Sequence, residues 1–381
     1  MRRRDKVEDG IQLALVGDTA LGGSLGGIPV PALAERSASV VELLQEADLR
    51  FLSLDCAIGR HGDPVYPDEY VIDCEQETLA LLKQWGIDVV SLANNHSTDR
   101  GLESLLAGRG QLLDTGIAVV GAGSTAAEAS SAAIVECQGL KIGWLAFAST
   151  HPWVGAYAAT DDHAGIAELD EARVLTAVES TRSQVDALIV SVHWGKEYIC
   201  VPPPSSVRFA RKLIDAGVRV VVGHHPHIIQ PVESYGQGVI CYSLGNFLFP
   251  DYPGQGLHFG GTASESLLVR VHVDKQRAVL RDTIAIGCDA DGRLRSLPSQ
   301  RQEQIMAAQA HMRPELGTHR GDRAWQRAVR QHEVARMQRV LRKEVLDAGF
   351  RDGTVRLLRL GRKNLWSLTR SLREILGGGQ R

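Results

Sequence analysis

The sequence predicts a layered α/β fold over residues 11–290, and three observations predict it. Short β-branched or apolar runs alternate with amphipathic stretches, the sign of stacked helix and sheet layers. Polar residues of metal-ligating type recur at the C-terminal ends of those runs: Asp18, Asp55, Asn95, His193 and His225. The composition, 44% hydrophobic and 23% charged, is near the globular average and excludes a disordered, collagen-like or coiled-coil chain.

In chain order the predicted strands are IQLALVGD (11–18), LRFLSLD (49–55), VVSLANN (89–95), AVVGAG (118–123), LKIGWLAF (140–147), ALIVSVHWG (187–195), VRVVVGHH (218–225) and GVICYSLGN (238–246). Helical periodicity falls between them at Ala38–Ala47, Glu75–Gln84, Gly101–Asp114, Asp170–Thr181 and Ser205–Asp215. SLLVRVHVD (266–274) and AVLRDTIAI (278–286) read as a closing strand pair.

Residues 1–10 form an N-terminal arm ahead of the 11–290 domain. Past Asp291 the pattern changes, and residues 291–321 (DGRLRSLPSQRQE onward) read as a linker. Residues 322–381 read as a basic helical region of two amphipathic helices, about 322–348 and 354–376. The net charge of −3 hides an asymmetry: residues 301–381 carry 18 Lys+Arg against 8 Asp+Glu (+10), so the rest carries 24 against 37 (−13). The basic tail offers a surface to an anionic partner, but interleaved acids and the tryptophans Trp325 and Trp366 favour packed helices over a nucleic-acid surface.

No run of about 18 apolar residues exists, so no transmembrane helix is expected. Asp5, Glu8 and Asp9 stand where a signal peptide would turn apolar. The six cysteines show no metal-binding spacing and read as reduced thiols of a cytoplasmic protein.

The chemistry lies in Gly17-Asp18, Leu54-Asp55, Asn94-Asn95-His96, His193-Trp194-Gly195 and Gly223-His224-His225-Pro226-His227. Carboxylate, imidazole and amide oxygen are the ligands that a metal-assisted hydrolase uses to hold one or two ions and activate water. From the residues alone, Asp18 before Thr19 also suits a turn, Asn94 and Asn95 suit a helix cap, and His193 suits a satisfied core histidine. Their order on successive strand ends favours the metal reading. His151-Pro152-Trp153 follows a predicted strand and is a candidate for shaping the pocket, and no ligand set falls in residues 301–381.

The motifs GDTALGG (17–23), SLDCAI (53–58), SLANNHSTDRG (91–101), VGAG (120–123), SVHWGKEY (191–198), LIDAGVRVVVGHHPHIIQPVE (213–233) and YSLGNFLF (242–249) resemble those of the CapA capsule-synthesis family. That family is named for poly-γ-glutamate production and is related to the calcineurin-like metallophosphoesterases. The resemblance spans roughly residues 11–250 and implies a four-layer αββα sandwich with a divalent metal centre of one or two ions (Mn, Zn or Fe). Carried over by position, it implies Asp18 and His227 on one metal, Asp55 bridging, and Asn95, His193 and His225 on the second. His96, with Asp18, would serve the reaction. Asn94, His224, Glu197, Tyr198 and Asn246 would lie around the ligands or against substrate. The general phosphoesterase pattern has a histidine where this chain has Ala20, and many relatives carry Asn-Leu-Glu where it has Ser53-Leu54-Asp55.

The first expectation is a metal-dependent hydrolase of phosphoesterase type, with a small molecule or peptide as substrate. The alternatives are a metal-dependent peptide epimerase, or a non-enzymatic subunit of a poly-γ-glutamate or capsule system.

Overall fold

The computed structural model describes residues 10–59, 62–65, 70–150 and 157–341. The N-terminal arm but for Gly10, the trio His151-Pro152-Trp153 and the second C-terminal helix lie outside the described residues.

Two sheets carry the fold. In the first the strand order is Leu294–Ser296, Ala278–Cys288, Glu265–Val273, Ile11–Thr19, Leu49–Leu54, Val89–Ser91 and Ala118–Val120, with Asn246–Leu248 paired to the end of Ile11–Thr19. Ile11–Thr19 and the three strands after it in this order are mutually parallel. The second sheet runs Val232–Tyr235, Gly238–Cys241, Val220–His224, Ala187–His193, Leu140–Ala148 and Ala133–Cys137, and its four central strands are parallel.

Three apolar cores separate four layers. One joins Leu33, Val40 and Leu44 of the helix Val30–Leu44 to Ala14, Leu52 and Leu54 of the first sheet. The middle core lies between the sheets, where Leu13, Leu15 and Phe51 meet Trp144, Ile189 and Val222. Phe51 stacks on Trp144 there, ring centroids 5.1 Å apart. The third places Val174 and Val178 of Glu171–Arg182 and Phe209 and Leu213 of Pro204–Asp215 on the outer face of the second sheet. The central strands are therefore buried on both faces, which is why they read as continuous apolar runs rather than alternating ones. The architecture is the expected α/β four-layer αββα sandwich.

Two sequence expectations differ from the structure. The run 238–246 is two strands: Gly238–Cys241 belongs to the second sheet, and the chain turns at Gly245 (φ 75°) to enter the first as Asn246–Leu248. The apolar pattern continues through the turn because Tyr242, Ser243 and Leu244 are fully buried. The stretch 291–321, expected as a linker, holds a strand (Leu294–Ser296), a helix (Ser299–Met312) and a short 3₁₀ turn. That helix docks by burying Ile305 in the middle core and through polar groups: Arg301 forms a bidentate pair with Glu265 at 2.7 Å, and the buried Gln309 amide oxygen accepts from Val232 N–H at 3.1 Å. Hydrophobic periodicity does not report such contacts. The last described helix spans His319–Leu341, and among the described residues no helix is long and apolar enough to cross a membrane.

Candidate metal centre

Parallel strands deliver their C-terminal ends to one edge, and both sheets do so on the same side. Asp18 stands opposite Ser53 in register, so Asp55 leaves its strand just beyond Asp18; His193 and His224 are register partners in the second sheet. The close approach of these ends requires glycine beside them. A Cβ on Gly17 would lie 1.9 Å from Gly245 O, and one on Gly223 would lie 2.0 Å from Tyr242 O.

Asp18 and Asp55 are fully buried, and His193 and His227 are each 2% exposed. His193 Nδ1 lies 4.0 Å from Asp18 Oδ1, and its Nε2 lies 4.0 Å from Asp55 Oδ1. His227 Nδ1 lies 3.8 Å from Asp18 Oδ2, and its Nε2 lies 3.9 Å from Asp55 Oδ2. These spacings are too long for hydrogen bonds and place the donor atoms around common points. Candidate ligand atoms of Asp18, Asp55 and His193 fall within 4.8 Å of one another, and so do those of Glu197, His225 and His227.

Other contacts orient these groups. Asn246 Nδ2 donates to Ala263 O at 2.8 Å, which fixes its amide so that Oδ1 accepts from His227 Nδ1–H at 2.8 Å. The His227 Nε2 lone pair is thereby left facing Asp55. Asn95 Oδ1 meets His193 Nε2 at 2.7 Å, joining the two sheets across the site. The backbone N–H of His225 donates to Asp18 Oδ2 at 3.0 Å. His225 (φ 93°) and His227 (φ 57°) both hold left-handed backbone around Pro226, a conformation that costs about 1–3 kcal/mol per residue and concentrates at functional sites.

The remaining predicted residues surround this set. His224 is buried with Nδ1 3.1 Å from Asp18 Oδ1, an ion-pair distance without hydrogen-bond alignment. Asn94 organises its own loop: its Nδ2 donates to Leu54 O, and its Oδ1 accepts from the N–H groups of His96 and Ser97. His96 stands outside both ligand groups, with Nδ1 2.8 Å from Asp99 Oδ2. The Tyr198 ring lies 6.1 Å from that of His227. Sequence reasoning missed Asp99, whose spacing three residues after His96 was the available signal.

The electrostatics suit a cation. Burial, then the adjacent Asp18 charge, pushes Asp55 up to about 7. Burial also pushes Asp18 upward, but its histidine neighbours, His224 first, outweigh it and hold that carboxyl well below its ordinary range. Burial lowers His193 far below its usual value and His225 to about 4, so both rings stay neutral with free lone pairs. Burial works against His96 too, but Asp99, Asp55 and Glu197 raise it to about 9. Both oxygens of Asp55, His193 Nδ1 and His225 Nδ1 are buried without a hydrogen-bond partner. Buried polar atoms are ordinarily paired, and a divalent ion is the partner this mixed oxygen and nitrogen set fits.

The family model for bacterial capsule synthesis protein PGA_cap matches residues 12–251, more than half of the chain. The chain belongs to this family. Within the PGA_cap match lie all the residues of the centre described above. The capsule biosynthesis protein CapA of Bacillus anthracis is 29% identical over 220 residues, covering 56% of this chain and 51% of that protein. The chain thus spans about half the length of that relative. The PGA biosynthesis protein CapA of Bacillus subtilis is 28% identical over 278 residues, covering 70% and 69%. Among solved structures, the calcineurin-like phosphoesterase YfkN from Bacillus subtilis aligns at 12% identity with a TM-score of 0.41, covering 79% of this chain and 98% of that one.

Proposed function

We propose that this PGA_cap member is a metal-dependent hydrolase of phosphoesterase type. The observation that carries this reading is the Asp55 carboxylate: it is fully buried, both its oxygens lack a hydrogen-bond partner, and His193 and His227 face it at 3.9–4.0 Å. An isolated buried charge is strongly unfavourable unless it is paired or bound to a metal. Asp18, Asp55, His193, His225 and His227 would hold the ion or ions, with Asn95 at their edge. A divalent ion there supplies Lewis acidity and makes water nucleophilic near neutral pH.

The chain's own groups supply the rest. His96, held by Asp99 and protonated near neutrality, donates a proton to a leaving oxygen or stabilises charge developing on it. Asn246 and Asn95 keep the imidazoles in orientation. The relatives are named for capsule and PGA biosynthesis, so precursors of a γ-glutamyl polymer are the first substrates to test after generic phosphoesters.

The test pairs elemental analysis with activity. Protein produced with added Mn, Zn or Fe should hold at least one ion per chain and hydrolyse an aryl phosphate, and chelation should abolish that turnover. A metal-free protein under all three conditions overturns the reading. Metal-loaded protein that cleaves no ester, yet exchanges a peptide α-proton in D₂O, replaces hydrolysis with the epimerase chemistry.

A further inference from the structure

We infer that the helix His319–Leu341, outside the family-matched residues 12–251, belongs to the metal centre. Its His332 and Glu333 are positioning residues that hold the loop Gly195–Tyr198 so that Glu197 faces His225 and His227. This rests on the metal-dependent reading above and adds to it a role for a segment that contributes no ligand.

The loop leaves the second sheet directly after His193, and the residues flanking Glu197 are both tied down. On one side, the Lys196 ammonium meets Glu333 Oε1 at 2.7 Å, and the Glu333 side chain is only 5% exposed. Arg336 Nε also donates to Glu333, at 3.0 Å, which fixes the carboxylate on the helix. On the other side, Tyr198 lies against two rings: His332 of the helix, nearly parallel at 6.4 Å and 15°, and His227 of the metal centre at 6.1 Å. The Tyr198 N–H donates to Pro226 O at 2.8 Å, the carbonyl between His225 and His227. Tyr198 also holds a left-handed backbone (φ 59°), which bulky residues avoid unless their surroundings fix it.

Glu197 therefore sits between two anchors, one on the helix and one on the histidine turn, and its ligand atom lies within 4.8 Å of those of His225 and His227.

Titration of the metal-free full-length protein with Co²⁺, followed by calorimetry and visible absorption, tests this without any substrate. Glu197→Gln should weaken binding and alter the absorption bands. Glu333→Gln should change them in the same direction and weaken binding about tenfold, the scale for losing a group that orients a ligand. Glu333→Asp should recover most of the affinity, which a purely structural role would not require. Should Glu333→Gln fail to fold, His332→Ala carries the test, with a smaller change of the same spectral kind. Wild-type affinity and bands in folded Glu333→Gln and His332→Ala overturn the inference while leaving the metal reading intact. A wild type that takes up no Co²⁺ overturns both.

Discussion

Asp18 and Asn246 are direct partners in parallel register, and both reach the same ring, that of His227. Asp18 is the penultimate residue of a strand of the first sheet; Asn246 opens the short strand by which the chain returns from the second sheet to the first. The return brings the acid, the amide and the histidine turn together. The candidate metal centre is therefore a property of the crossing between two sheets. Its expected behaviour follows from that placement.

Losing two imidazoles should empty the centre. The double variant His193→Ala/His225→Ala is expected to lose its metal by elemental analysis, whereas His319→Ala, an exposed residue at the start of the last described helix, should retain it.

Asp55 should trade stability for function. Its pKa is raised to about 7 against 3.8 in the unfolded chain, so its favourable contribution is complete below 3.8 and lost as pH rises through 7. Asp55→Asn is expected to stabilise the metal-free protein at pH 8 by about 1–3 kcal/mol, read by denaturant unfolding, while abolishing metal uptake. Equal or lower apo stability in the variant would contradict the proposed burden of a buried, partnerless carboxylate.

His96 should serve the reaction and not the metal. His96→Asn is expected to keep the wild-type metal content and lower turnover by ~10²–10⁴. Full activity combined with lost metal would reverse the assignment.

The same histidine predicts a pH dependence of stability. Its folded pKa, about 9, exceeds its ordinary 6.5, so the stability it contributes is fully present below 6.5 and is lost as pH rises through 9. Unfolding free energy measured from pH 6 to 10 should fall less steeply in His96→Asn than in wild type; parallel curves would show that the Asp99 contact contributes no such term.

Glycine at position 17 should be irreplaceable. Gly17→Ala places a Cβ 1.9 Å from Gly245 O, between two backbones that cannot move independently. The expected loss is ~1–3 kcal/mol or more, with weaker metal binding because Asp18 shifts with its strand end. Thermal melting and metal titration of this variant check both effects.

The sequence by itself determined the α/β alternation, the ends of most central strands and the residues gathered at the site. Strands buried on both faces must be continuously apolar, so Asp18, His193 and His225 stand out at their limits against the runs they close. Only the tertiary structure decided how those residues divide their work. Asn94 ties its own loop to the neighbouring strand at Leu54, whereas Asn95 reaches across to His193, because successive residues leave a strand end in different directions. Asp99 became the partner of His96, and the run 238–246 split between two sheets, neither of which a periodic pattern encodes. The register of the helix of residues 299–312 on the sheet, and the Lys196–Glu333 pair, depend on polar contacts between residues far apart in the chain. Hydrophobic spacing registers burial; which distant donor meets which acceptor is fixed only once the layers have packed.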